Sequence, residues 1–159
     1  MTQTSITSRN DGFSIQVASE PSPGEVAAGT GAVGRISVGD FEESFAMDLS
    51  YWSVTDYQES WMSALAVLDG GTDSTSCLIS SITDPANSNF VFCWPIYREG
   101  DDVYVQNSII FLEELTGDFI PKEPWRSVEP RSTVDEDGNN ISEWKTSMGA
   151  VREFLSVAR

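Results

Sequence analysis

The run Phe90-Val91-Phe92-Cys93-Trp94-Pro95-Ile96-Tyr97, the turn Arg98-Glu99-Gly100-Asp101-Asp102 and the run Val103-Tyr104-Val105-Gln106-Asn107-Ser108-Ile109-Ile110-Phe111-Leu112 decide how this chain is read. Two segments rich in β-branched and aromatic residues flank a short polar turn containing glycine, which is the pattern of a β-hairpin. The first is apolar at nearly every position, so it is expected to be a central strand with both faces covered. The second alternates in part. Val103, Val105, Ile109 and Phe111 fall on one face, and Tyr104, Gln106, Ser108 and Ile110 on the other, which is expected to be less dry. Pro95 has no N–H to give to a ladder and predicts a bulge beside it.

Working outward, Thr75 to Thr83 carries Cys77, Leu78, Ile79 and Ile82 and reads as a strand. The turn Asp84-Pro85-Ala86-Asn87 leads from it into the hairpin, so three successive antiparallel strands form a meander. Before them, Tyr57, Trp61, Ala64, Leu65 and Leu68 share one face of a helix over about 55–69, with Thr55 and Gln58 at capping-box spacing and Gly70-Gly71 as the stop. Ile36-Ser37-Val38, Gly39-Asp40 and Phe41 to Met47 suggest an earlier hairpin.

Residues 1–34 read as a loose N-terminal segment with a possible first strand at Phe13 to Ala18, followed by a Pro/Gly/Ala-rich linker; residues 35–159 read as a single domain. Past Leu112, Ile120 to Arg131 contains Pro121, Pro124 and Pro130 and is expected to cross irregularly. Ser132-Thr133-Val134 and Asn140 to Trp144 flank Asp135 to Asn139 as a further hairpin. Ser147 can cap a short C-terminal helix with Met148, Val151, Leu155 and Ala158 on one face. The fold class is α+β: an antiparallel β-sheet of about five to seven strands, with the long helix and the short C-terminal helix packed on it.

Composition narrows function. The chain has 159 residues and is 40% apolar, enough for one well-filled core. Nine Lys plus Arg against twenty-five Asp plus Glu gives a net charge of −16, and no basic residue lies between Arg35 and Arg98. Such a field repels nucleic acid and anionic membrane and attracts basic surfaces. No His is present, which removes His-dependent nucleophile systems and His-bearing zinc sites. Cys77 and Cys93 lie inside apolar runs and read as buried thiols, with a single bridge open if their strands are neighbours. Gly24 to Gly34 lacks a phosphate-loop lysine, and Asp135-x-Asp137 with Asn139 departs from calcium-loop spacing and reads as a turn. No catalytic residue, cofactor or metal ligand is expected, and a cytoplasmic protein is expected from the lack of a signal peptide or an apolar span.

Acids on turns, beside exposed aromatics, suit a protein interface. The candidate contacts are Glu99, Asp101 and Asp102 on the hairpin turn, Glu113, Glu114 and Asp118 after the second run, and Asp56 and Glu59 on the polar helix face.

Several motifs in order carry a family resemblance: Gly39-Asp40-Phe41 with Phe45, Tyr51-Trp52-Ser53 with Asp56-Tyr57 and Trp61, Cys77 to Ser81, Asn89 to Phe92 with Trp94 to Arg98, Val103 to Asn107, and Asp137-Gly138 with Ile141 to Trp144. Together, over roughly Arg35 to Trp144, the chain resembles CdiI-type immunity proteins of bacterial contact-dependent growth inhibition. The resemblance implies a cytoplasmic protein that binds and neutralises the toxic C-terminal domain of a cognate toxin. Such toxin domains are often nucleases with basic clefts, which acids would occlude by taking the positions of substrate phosphates. The alternative is a non-catalytic acidic adaptor or chaperone-like protein-binding module. The resemblance assigns no binding residue.

Overall fold

The computed structural model describes residues 12–21 and 31–158. Its strands are β1 Phe13–Ser19, β2 Gly31–Val38, β3 Phe41–Asp48, β4 Thr75–Ser81, β5 Phe90–Glu99, β6 Asp102–Gln106, β7 Ser108–Phe111 and β8 Glu143–Ser147; its helices are α1 Val54–Asp69 and α2 Met148–Ala158. The class is α+β, as expected, with the strands divided between two antiparallel sheets. One is a three-stranded sheet in the order β1-β2-β3. The other has five strands in the order β4-β5-β6-β8, with β7 also on β5. In β2, Ala32, Gly34, Ile36 and Val38 are buried while Gly31, Val33 and Arg35 are exposed, so this sheet has one dry face and packs face-on instead of extending the other ladder.

Gly31 to Gly34, expected in the linker, belong to β2. A Cβ on Gly34 would lie 2.4 Å from the Phe45 ring, so the glycine is what lets that ring cross the strand. The rest of the loose reading of 1–34 falls mostly on residues 1–11 and 22–30, which lie outside the described residues.

The sheets join through aromatic rings. Phe41 stacks on Trp144 with centroids 3.7 Å apart, while Phe41 and Phe45 meet Trp94 edge-on at 6.2 and 6.1 Å. Trp52, Trp61 and Trp125 also pack on or in the core, so the tryptophans are structural.

Helix α1 begins two residues earlier than the Thr55/Gln58 reading. Ser53 is the cap: its Oγ accepts from Asp56 N at 3.2 Å, and Asp56 Oδ2 accepts from Ser53 N at 2.9 Å. Aspartate three residues on closes the box here as Glu or Gln would. Its buried face is Tyr57, Trp61, Ala64, Leu65 and Leu68, the face expected. Ser76 Oγ donates to Ala64 O at 2.7 Å and Trp61 Nε1 to Ile79 O at 2.7 Å, which pins α1 to β4. At its end Arg98 Nη1 donates to Asp69 O at 3.2 Å, satisfying a carbonyl the helix leaves free.

Strand β5 is central in the larger sheet. Its second half pairs with β6 and its first half with β7, from Ile96↔Val105 and Cys93↔Ser108 respectively. The ladder stops at Asn107, opposite Trp94 and Pro95, where proline offers no N–H. Pro95 itself pairs in register with Cys77, and the register shift in that ladder lies further along, between Ile79 and Ser81 of β4, opposite Cys93 and Phe92. One face of this sheet is covered by α1 and the smaller sheet. The other lies under the irregular crossing, tied by Tyr97 Oη to Glu129 O at 3.0 Å and Gln106 Nε2 to Ser132 O at 2.9 Å.

Residues 132–144 do not form the expected hairpin of two strands. Val134↔Asn140 is an isolated bridge, and β8 pairs with β6 instead. Residues 132–140 are exposed throughout, so no apolar face holds a second ladder there. Asp135 Oδ1 accepts from the amides of Asp137 and Asn139, both at 2.9 Å, which makes this a carboxylate-closed turn. In α2, Ser147 Oγ accepts from Ala150 N at 3.1 Å and Met148, Val151 and Leu155 are buried; Ala158, at the end of the same face, is exposed.

Candidate functional site

The acids expected at the hairpin tip are largely spoken for by neighbouring cations. Gly100 (φ 67°) and Asp101 form a two-residue turn that sets Glu99 opposite Asp102. Like charges directly opposite would destabilise the pair. Each has its own partner: Glu99 Oε2 lies 3.1 Å from Arg131 Nη1, and Asp102 Oδ1 3.6 Å from Lys145 Nζ. The Arg131 guanidinium also stacks 3.8 Å over Tyr104 and makes a forked contact with Glu143, at 2.6 and 2.8 Å. The hydrogen bond from Arg131 holds the Glu143 carboxyl below its ordinary range. Asp69, at the same end, meets Arg152 at 2.9 Å and Arg98 at 3.9 Å. Of the three tip candidates, only Asp101 makes no ion pair among the described residues; its carbonyl accepts from Met148 N at 2.8 Å.

The remaining candidates sit at the opposite end of the sheet. Leu112 N donates to Asn89 O at 2.9 Å, which places Glu113 and Glu114, on the short 3-10 turn Leu112–Glu114, beside the start of β5. The N-terminus of α1 is at the same end, because Tyr57 Oη accepts from Ile82 N at 3.0 Å just beyond β4. Asp56 is committed to the helix cap. Glu59 lines a groove of about 220 Å³ with Trp52, Asp56, Ser60, Ser63, Pro121 and Lys122, and Asp118 leads into that segment. Glu59, Glu113, Glu114 and Asp118 are exposed and make no ion pair among the described residues. The length of β5 separates the two acidic groups by about 30 Å at strand rise, so they are not one patch.

A feature the sequence reading missed lies on the larger sheet itself, at the Glu113 and Glu114 end. Phe90, Phe92, Ile109 and Phe111 are exposed by 42, 40, 39 and 47%. The register pairs Phe90 with Phe111 and Phe92 with Ile109, so the four side chains make two rows on one face, and the Phe90 and Phe92 rings stand 5.1 Å apart. The expectation that both faces of Phe90 to Tyr97 are covered is therefore corrected: Trp94 and Ile96 are covered, but the cover stops short of Phe92. The signal available was the pairing of an all-apolar strand end with Ile109 and Phe111; where the cover ends is a tertiary fact.

Cys77 and Cys93 are buried free thiols on the paired strands β4 and β5. Their mutual hydrogen bond, with burial, pushes the Cys77 thiol well above its ordinary range, the opposite of what a nucleophile needs. Among the described residues no cluster of three or more Cys, Asp or Glu is arranged to hold a metal ion. No helix among them is long and apolar enough to cross a membrane.

The family model of the CdiI N-terminal domain matches residues 47–154. The chain belongs to the CdiI family. Its match spans α1, the whole five-stranded sheet and most of α2, and begins as β3 ends. This CdiI family member is 42% identical over 120 residues to the protein named immunity protein CdiI of Enterobacter cloacae subsp. cloacae, covering 75% of this chain and 81% of that one. Its fold matches a chain of a solved structure titled a CdiA-CT/CdiI toxin and immunity complex from Enterobacter cloacae, with a TM-score of 0.79, 37% identity, and coverage of 91% of this chain and 97% of that chain. The structural likeness thus extends past the family model into the three-stranded sheet.

Proposed function

We propose that this chain is the immunity partner of a CdiA-CT-type toxin domain, binding that domain and blocking it. The observation that carries the reading is its kinship, over most of its length, with a protein named as immunity protein and with a solved toxin and immunity complex. The net charge of −16 supports a finer reading, in which the toxin domain is a nuclease with a basic cleft. Glu59, Glu113, Glu114 and Asp118 then stand in for substrate phosphates. At that end of the sheet they are the candidates whose charge is free to act outward, whereas Asp56 closes the helix cap; at the hairpin tip Glu99 and Asp102 already serve internal partners, and Asp101, which makes no ion pair among the described residues, stands about 30 Å away. Nothing in this mechanism asks for a catalytic group: inhibition is occupation of the cleft.

The test is co-expression with the cognate CdiA-CT domain, followed by binding of the purified pair. Growth should be rescued. The quadruple variant E59Q/E113Q/E114Q/D118N should associate more slowly and with a shallower dependence on salt. Rescue and salt slope both unchanged in that variant would overturn acidic occlusion, and failure of the wild type to rescue would overturn the immunity reading.

A further inference from the structure

We infer that the open apolar rows Phe90/Phe111 and Phe92/Ile109 are the desolvated centre of the surface that receives the toxin domain, with the acids as its rim. This rests on the immunity reading above and adds to it where on the chain binding energy is concentrated.

Four large apolar side chains, each about two-fifths exposed, lie together at the end of one sheet face. At roughly 200 Å² per large side chain they leave on the order of 300 Å² of contiguous apolar surface, within the range of the largest patch on a soluble monomer, which is often functional. Strand β7 pairs only with β5 among the described residues, so its other edge is open as well. Open edges are ordinarily guarded by lysine, proline or a covering element. Here the strand reads Ser-Ile-Ile-Phe and carries no such guard.

The charge around the rows selects the occupant. Glu113 and Glu114 follow Phe111 with only Leu112 between, and Asp84 lies on the loop entering β5. Between Arg35 and Lys122 the one cation is Arg98, which is buried at the far end of β5. A second copy laid face to face would set these acids against their own images. A partner with an apolar spot inside a basic margin meets no such repulsion, and that is the chemistry expected of a phosphate-holding toxin domain. Aromatic anchors surrounded by charges are also how interface energy is generally distributed, the anchors slowing dissociation and the charges speeding encounter.

The experiment uses the full chain and the cognate CdiA-CT domain. Phe92→Ser and Phe111→Ser, together and singly, should weaken binding, the double variant by about 100-fold or more, mainly through faster dissociation and with the salt slope preserved. Val157→Ser, at an exposed apolar site on α2, should leave affinity unchanged. Hydrogen exchange on the wild type with and without toxin covers the case of a variant that fails to fold: the amides of Ser108 to Phe111 should slow when the complex forms. Wild-type binding that survives in the double variant, or β7 amides that exchange alike in both states, overturns this inference while leaving the immunity reading intact. Dimerisation of the free wild type that the double variant abolishes, with toxin affinity retained, overturns it in favour of a second copy. A wild type that binds no toxin overturns both.

Discussion

Replacing Tyr57 by Phe deletes one oxygen from a site with no exposure, and it is the sharpest probe of how the two sheets and α1 are held together. The Oη donates to Asp48 O at 2.6 Å, at the end of β3, and accepts from Ile82 N at 3.0 Å, just past β4. Phe keeps the ring contacts with Trp52 and Trp61 and loses both bonds. Each hydrogen bond contributes about 1 kcal/mol net, and the buried Ile82 amide left without a partner adds a further cost, so the variant should lose about 2–3 kcal/mol. For a chain of this size that corresponds to roughly 5–10 °C in Tm. Urea unfolding followed by tryptophan fluorescence and by far-UV circular dichroism should show a lower midpoint at unchanged m.

The same oxygen makes a pH prediction. Burial pushes the Tyr57 phenol up from 10.0 to about 12. A folded pKa above the unfolded one means that this stabilisation is complete below about pH 10 and is lost as pH rises from there through about 12. The gap between wild type and Tyr57→Phe should therefore close across that window. Burial raises Tyr97 to about 12 as well, but it is present in both proteins and cancels in the difference. A cost under about 0.5 kcal/mol, below that of one ordinary hydrogen bond, or a gap that stays constant through the alkaline window, would refute the reasoning.

Two further outcomes follow from the local geometry. Ser53→Ala should cost about 1 kcal/mol, read from urea midpoints, because it removes the oxygen that accepts from Asp56 N. A double-mutant cycle between Arg131→Met and Glu143→Gln should give a coupling of about 1.5–2.5 kcal/mol at neutral pH, as the forked pair is mostly but not wholly buried. Since Arg131 lowers the Glu143 pKa, that coupling is present above the ordinary carboxylate range and should fade as pH falls through the folded value; a coupling that persists in strong acid would contradict the assignment.

Much of the fold was legible because it rests on local periodicity. The Tyr57-to-Leu68 face, the meander through β5 and the short helix after Ser147 each came from spacing alone. The candidate acids were less legible. Glu99, Asp102 and Asp56 look like their neighbours in sequence, yet the first two meet Arg131 and Lys145 from distant segments and the third closes a cap two residues before where it was sought. Charge type is written in the chain, but whether a charge is already spent is set by residues it meets only after folding.

The sequence by itself determined the α+β class, the helical face, the central hairpin, the acidic character and the kinship with CdiI proteins. Tertiary structure alone decided that the strands form two sheets, that the acids divide between two ends of β5, and that Phe90, Phe92, Ile109 and Phe111 stay open. Periodicity records which side of a strand an apolar residue takes, because alternation is a property of the single strand. How far a neighbouring layer extends over that side depends on where Phe41, Phe45 and α1 come to rest, and those contacts join residues tens of positions apart.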